Sequence, residues 1–498
     1  MNTMENKAIA APTDRLRSRV LHGVVFVGIG QAVRIAVQFI SIIVMSRLLA
    51  PKDFGVIAMI WPLIAFVNLL QGMGLSSAVA NAREVTYSQL STVFWINVGI
   101  STALCILIAL SAPLASAFYG EPAIVGPMIA MGVITFIAGL QAQHTALIYR
   151  QMRFGANALI EAISSILALA AGICVALVWP GPWALVSSPV TAALVSLAGT
   201  WWVTKWRPGR PSSLKDVAPF LKFGRGITGF QIANFVARNL DNVLIGRYAG
   251  AVQLGLYDRA YKLLMLPVQQ SLGPISRVIL PVLSRLADDP ARYRLAYTRA
   301  VQQILLVIIP GVVWLLVNAE VAIPTLLGEQ WISSVPIFQW LGFCALIQPL
   351  SATTGWLFMS QHRTDEFAAW GVFVAITCAL AFVAGLRWGA IGVAAAYTLS
   401  EILLRLPVVI WLVGRKGPVS AAALCRLMWP NAVANAAAAG SLLLLPSDLG
   451  LPVVVDLLIR LVLAYAFSWT TLSLFPDGRR AFVELAKSAS TLIRPAMR

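Results

Sequence analysis

A chain of 498 residues that is 59% hydrophobic and only 11% charged, with a mean hydropathy of +0.81, is far from the roughly 25% charged residues of a soluble domain. That composition excludes a water-soluble fold and specifies a polytopic membrane protein. Lys and Arg outnumber Asp and Glu by 37 to 20, an excess that would suggest nucleic acid in a soluble protein but in a membrane protein reads as loop bias, with no nucleic-acid partner.

At the N-terminal end Lys7, Arg15, Arg17 and Arg19 precede an apolar run from about 21 to 45. The run is longer than the roughly 7–15 residues of a signal-peptide core and contains Arg34, so it is expected as an uncleaved first span. With about 20 apolar residues per crossing, fourteen helices are predicted: 21–46, 54–80, 89–112, 123–148, 157–179, 182–204, 226–249, 254–284, 300–322, 333–358, 366–386, 388–414, 420–446 and 451–475. The longest connection is the basic stretch 205–225, with Pro208, Gly209, Pro211, Ser212 and Ser213. It divides an N-lobe, 1–204, from a C-lobe, 226–414, and 415–498 carries two further helices and a tail.

Orientation follows from the basic residues. Placing both termini in the cytoplasm leaves only Arg47, Lys52, Arg247 and Arg387 in loops on the other side, as the positive-inside rule requires. An even number of crossings follows.

An internal repeat supports two lobes. Arg47 and Gly55 in SRLLAPKDFG match Arg247 and Gly255 in GRYAGAVQLG at an offset of 200 residues, and the same offset places Gln31, Arg34, Gln38 and Ser41 over Gln231, Asn234, Arg238 and Asp241. Steps of three and four put each polar set on one helical face, surrounded by apolar residues such as Ile227, Phe230, Phe235 and Leu240. Such a face points toward other helices or a watered cavity. Six helices per copy give both copies one orientation, so the fold class is an all-α membrane protein with two six-helix lobes in parallel repeat about a cavity, plus two C-terminal helices.

Catalytic constellations are missing from the sequence. GxxxxGK[ST] and HExxH do not occur, His22, His144 and His362 are dispersed, and the cysteines Cys105, Cys174, Cys344, Cys378 and Cys425 have no ligand spacing. Neither an enzyme, a cofactor, a metal centre nor a disulfide framework is expected. The intramembrane charges are what remain. Arg34, Arg238, Arg259 and Lys262 are candidates for an anionic head group such as a pyrophosphate, with Gln31, Gln38, Gln231 and Asn234 beside them. Asp241, Asp258 and Glu161 are candidates for orienting those cations or carrying protons. A competing reading has Arg238 and Asp241 neutralising one another at i,i+3, whereas no acid lies near Arg34 in sequence. Glu401 with Arg405 and Asp456 with Arg460, both i,i+4, read as structural pairs. Tyr257 and Tyr261 read as interfacial anchors or sugar-stacking groups, and Trp201, Trp202 and Trp206 as belt aromatics.

The segments SRLLAPKDFGVIAM, LDNVLIGRYAGAVQLGLYDRAYKLLMLP, LGEQW and PLSATTGWLFMSQHRTDEF resemble the polysaccharide transporter (oligosaccharide flippase) family, within the multidrug/oligosaccharidyl-lipid/polysaccharide exporter superfamily. The resemblance implies fourteen helices and alternating-access movement of a polyprenyl-pyrophosphate-linked oligosaccharide for lipopolysaccharide or exopolysaccharide biosynthesis. Arg34 and Arg238 are the cavity positions it carries over, and polysaccharide polymerase or export machinery are the partners it suggests. A drug antiporter of the same superfamily and a non-transporting scaffold of a polysaccharide assembly complex are the alternatives.

Overall fold

The computed structural model describes residues 16–71, 85–211, 228–446, 450–476, 478–480 and 482, and among them every regular element is helical. The helices are α1 (Leu16–Leu48), α2 (Pro51–Gln71), α3 (Tyr87–Tyr119), α4 (Val125–Arg150), α5 (Phe154–Val178), α6 (Pro182–Thr204) and α7 (Thr228–Arg285), then α8 (Pro290–Val317) and α9 (Ala319–Leu327). They continue as α10 (Val335–Ser360), α11 (Thr364–Gly385), α12 (Gly389–Ser400), α13 (Leu406–Lys416), α14 (Ala421–Leu444) and α15 (Val453–Ser473). Where the residues are described, the predicted windows fall mainly on helix; 72–80 of the second window and 226–227 of the seventh lie outside the described residues. Among the described residues nine helices are long and apolar enough to cross a membrane, or ten when the bent pair within α7 counts as one span. The chain is a multi-pass membrane protein. Its outward apolar residues, Leu110, Leu114, Val178, Leu403 and Leu444 among them, would be a liability in water and suit acyl chains.

Helix ends follow local chemistry. Thr86 and Gln89 form a reciprocal capping box at the start of α3, which stops at Gly120 with φ of 69°. Asp289 caps α8 ahead of Pro290, and Ser420 caps α14. α7 is two helices joined at Gly250, whose φ of 82° and ψ of 175° are accessible to glycine.

Contacts divide the chain into two units, Met1–Gly255 and Leu256–Arg498. In the first, α1 packs on α5, α3 on α4, and α6 on both α4 and α5. Here α2 meets α7 through two glycines. A Cβ on Gly55 would stand 1.7 Å from the Ala251 carbonyl oxygen, and one on Gly255 would stand 1.8 Å from that of Pro51. The two contacts exchange under the 200-residue offset, 55 on 251 and 51 on 255, so the repeat is expressed as a reciprocal backbone crossing. The same logic returns further along. Arg153 and Arg363 each follow a residue at positive φ, Met152 and His362. Arg153 donates to the Val203 carbonyl at 2.8 Å, and Arg363 donates to those of Leu412 at 2.9 Å and Val413 at 3.4 Å. The offset there is 210 residues.

In the second unit α8 packs on α10, α14 and α15, and α11 on α12. Pro310 lies inside α8 and has no N–H for the Leu306 carbonyl one turn back. Trp469 of α15 supplies the donor, its Nε1 lying 3.0 Å from that oxygen, and the Tyr465 hydroxyl donates to the Val307 carbonyl at 2.7 Å. In return Trp314 of α8 donates to the Leu457 carbonyl at 3.0 Å. Lipid offers no hydrogen bonds, so a backbone group left open there costs several kcal/mol; α15 is fastened to α8 by meeting that need.

Candidate functional site

The polar stripe of α1 is assembled with α5 and the end of α4. Arg34 donates to the Gln31 amide oxygen within its own helix and faces Glu161 of α5, with Nη1 3.4 Å from Oε2. Glu161 accepts through its other oxygen from Asn157 at 2.7 Å, and the Asn157 amide lies 3.4 Å from the Tyr149 hydroxyl. The acid that the local sequence does not offer Arg34 is therefore supplied from 127 residues away. The Arg34 and Glu161 side chains remain 37% and 46% exposed. Gln38 is exposed on the same helix and Ser41 half-buried.

The other intramembrane pairs are built differently. Arg405 lies 2.9 Å from Glu401 across a π turn, Glu401–Arg405, with side chains 1% and 8% exposed. It also donates to the Tyr397 carbonyl at 2.8 Å and Ser400 at 2.9 Å, while Glu401 accepts from Ser351 at 2.8 Å. Arg460 pairs with Asp456 at 2.9 Å, the two side chains 7% and 8% exposed, and reaches the Pro446 carbonyl. These closed pairs match the structural role expected of them. The Glu401–Arg405 pair is closed on itself, Asp456 and Arg460 line a cavity of about 360 Å³ with Asn318 and Glu320, and the Arg34 pair is the part-exposed one.

The side chains of Gln231, Asn234 and Arg238 lie outside the described residues, so only their helical backbone in α7 is placed. Asp241 is buried and accepts from the backbone N–H of Asn242 at 2.8 Å. In the second unit Lys262 pairs with buried Asp258 at 2.8 Å and keeps 43% of its own side chain exposed; Arg259 is buried beside them. Tyr257 is 2% exposed and stacks on Tyr261 with ring centres 6.5 Å apart, so Tyr257 is packing and neither an interfacial anchor nor an open sugar platform. Of the three tryptophans Trp202 is 80% exposed, as a belt residue should be. Trp201 instead stacks on His144 at 4.4 Å, and Trp206 packs against the same imidazole at 5.3 Å.

Residues 205–211, the start of the predicted linker, lie on α3. Tyr87 donates to the Arg207 carbonyl at 2.6 Å, Trp95 to that of Gly209 at 2.9 Å, and the Gly209 N–H to Ser91 at 2.9 Å. Residues 212–225 lie outside the described residues. Asn157 and Tyr149 were missed by the sequence reading, although Asn157 and Glu161 at i,i+4 on an apolar helix were a signal for the first of them.

Sequence comparison decides the family. The model for the polysaccharide biosynthesis protein family matches residues 44–336. The chain belongs to that family. It is 26% identical to the lipopolysaccharide biosynthesis protein WzxC of Escherichia coli K12 over 78% of this chain and 80% of that one. It is 28% identical to the succinoglycan biosynthesis transport protein ExoT of Rhizobium meliloti over 62% of each. In fold it is similar to the lipid II flippase MurJ in an inward closed conformation, with a TM-score of 0.70 at 15% identity over 91% of this chain and 98% of that one. Family membership, a helical fold like that of a solved flippase and a multi-pass membrane location agree. Within that frame Arg34 is a part-exposed arginine of α1 whose Nη1 faces Glu161 and whose Nη2 donates to Gln31.

Proposed function

We propose that this chain is a flippase that moves a polyprenyl-pyrophosphate-linked oligosaccharide across the bacterial inner membrane for lipopolysaccharide, capsule or exopolysaccharide biosynthesis, by alternating access and without catalysis. The relatives named for lipopolysaccharide and succinoglycan biosynthesis support the cargo class. The observation that carries the site is the open Arg34–Glu161 pair. A part-exposed ion pair contributes little to stability, so an incoming pyrophosphate can displace the carboxylate and take Arg34 in a bidentate, charge-assisted contact. Gln31 and Gln38 then supply further donors, and Glu161 returns to Arg34 when the cargo leaves, which resets the site. Under the 200-residue offset Asn234 falls on Arg34 and Arg238 on Gln38, so Arg238, with Gln231 and Asn234, is the cation of the matching stripe in the second repeat, and Asp241, Asp258, Arg259 and Lys262 continue the polar route. In this reading both termini face the cytoplasm, the lobes are 1–204 and 226–414 with 415–498 outside the repeat, and polymerase or export machinery receives the cargo.

The test is Arg34→Gln and Arg238→Gln, singly and together, scored by surface polysaccharide in cells with matched protein levels. Loss of polysaccharide with accumulation of the lipid-linked precursor is expected. Unchanged export by the double variant refutes the site, and resistance to cationic compounds without any polysaccharide phenotype favours the drug-antiporter alternative.

A further inference from the structure

At one end of the second unit, the start of α8, the start of α14 and the short helical stretch after α15 enclose a cavity of about 500 Å³. Four arginines line it: Arg294 and Arg299 from α8, Arg426 from α14, and Arg480. No carboxylate lines it among the described residues. Arg294 is held in place by donating its Nε to the Pro418 carbonyl at 2.9 Å, which leaves its terminal nitrogens for the cavity. Arg426 and Arg480 have no acid partner among the described residues; the neighbouring acid, Asp289, is taken by Arg292 at 3.3 Å and by the α8 N-cap. The N-terminus of α14, a helix of 24 residues, opens on the same space through Ser420, Ala422 and Ala423. Its first N–H groups and its dipole favour negative charge.

Arginine side chains gathered around one half-open space favour an anion between them, and planar guanidinium groups suit phosphate oxygens. The cavity is built around the first turns of α8 and α14, and α8 is long and apolar enough to span a membrane, so its start is expected near the depth of phospholipid phosphates. We propose that it is a binding site for the phosphate headgroup of an anionic membrane lipid in the leaflet at this end of the molecule. The site is separate from the transport route, contains none of the residues assigned to it, and does not depend on which cargo is moved.

The experiment uses the full-length protein in detergent, exposed to equal amounts of phosphatidylglycerol and phosphatidylcholine with matched acyl chains, with bound lipid counted by native mass spectrometry. The wild type is expected to retain phosphatidylglycerol in preference. Each arginine near an anionic surface contributes about a factor of five, so Arg426→Gln with Arg480→Gln weakens retention about thirtyfold. The control Arg415→Gln, whose guanidinium stacks on Trp411 at 5.0 Å away from the cavity, should leave it unchanged. If the double variant does not fold, Arg426→Gln alone carries the test with a loss of about fivefold. An equal loss in the Arg415→Gln control overturns the proposal in favour of diffuse surface attraction. Unchanged preference in the double variant overturns it outright. Displacement of the lipid by inorganic pyrophosphate at equal concentration overturns the lipid assignment and leaves a soluble phosphate compound as the occupant. Polysaccharide export, measured in parallel, separates a failure here from a failure of the flippase reading.

Discussion

Replacing Gly55 by Ala tests the reciprocal crossing most directly. The added Cβ would lie 1.7 Å from the Ala251 carbonyl oxygen, whereas ordinary contact begins at 3.4 Å, so α2 and α7 must part by about 1.7 Å at this point. The obstacle is backbone, and a methyl group has no rotamer with which to avoid it. Overpacking typically costs 1–3 kcal/mol when side chains can yield; here about 3 kcal/mol or more is expected. Gly255→Ala meets the Pro51 carbonyl at 1.8 Å and should cost the same. The double variant should cost little more than either single one, because one separation of the two helices relieves both clashes and neighbouring substitutions of this kind are not additive. Gly99→Ala is the control, with no atom within 4 Å of the new Cβ. Stability of the solubilised protein, read as the monodisperse fraction surviving a temperature series, gives all four values. Gly55→Ala as stable as Gly99→Ala, or two single effects that simply add, would refute the shared crossing.

Four further outcomes follow from the hydrogen bonds and ion pairs. Trp469→Phe strands the Leu306 carbonyl and should cost about 1–3 kcal/mol, but should cost much less in a Pro310→Ala background where the α8 backbone can bond to itself; a thermal-stability double-mutant cycle reads the difference. Arg405→Gln leaves Glu401 buried without its cation, and removing one partner of such a pair costs about 3–5 kcal/mol, so protein yield and stability should fall sharply. Arg34→Gln should change stability by no more than about 1 kcal/mol while abolishing export, which separates a transport residue from a structural one in the same two assays. Arg153→Ala and Arg363→Ala each remove charged hydrogen bonds to helix-end carbonyls and should each lower stability by about 1.5–3 kcal/mol, with Arg363→Ala the larger loss because Arg363 also pairs with Glu366 at 2.7 Å; thermal stability of the solubilised variants checks the order.

The sequence carried the helices because membrane spanning leaves few solutions: an apolar run of the right length has to be a helix, since only a helix or a closed barrel satisfies its own backbone in lipid. It carried the repeat as far as Arg47, Gly55, Arg247 and Gly255 because two backbones that touch tolerate nothing larger than glycine, a constraint written in single letters. It did not carry the second offset. Gln151-Met152-Arg153 and Gln361-His362-Arg363 share two letters of three, and the feature that unites them is a positive φ at the middle residue, which neither Met nor His announces. The partner of Arg34 was illegible for a related reason. Glu161 is remote in sequence, and its carboxylate comes into reach only because α1 packs on α5. Ion pairs at i,i+4, by contrast, are legible from spacing alone, as Glu401 with Arg405 and Asp456 with Arg460 show.

That difference in legibility bears on function. A pair formed within one helix keeps its geometry whatever the helices do, so the Glu401–Arg405 and Asp456–Arg460 pairs can be sealed from solvent and contribute to a fixed fold. A pair formed between helices depends on their packing and, when part-exposed, is held weakly enough to be exchanged for a ligand. Arg34–Glu161 is of the second kind, at 3.4 Å and with more than a third of each side chain exposed, and it occupies the stripe that the repeat duplicates at Arg238. A flippase requires a cation that can bind an anionic cargo and then release it. Too strong an internal partner would exclude the cargo, and none would hold it permanently. Glu161→Gln should therefore strengthen cargo binding and slow turnover: precursor should co-purify with the variant while surface polysaccharide falls. An increase in export with no retained precursor would remove the exchange role from Glu161.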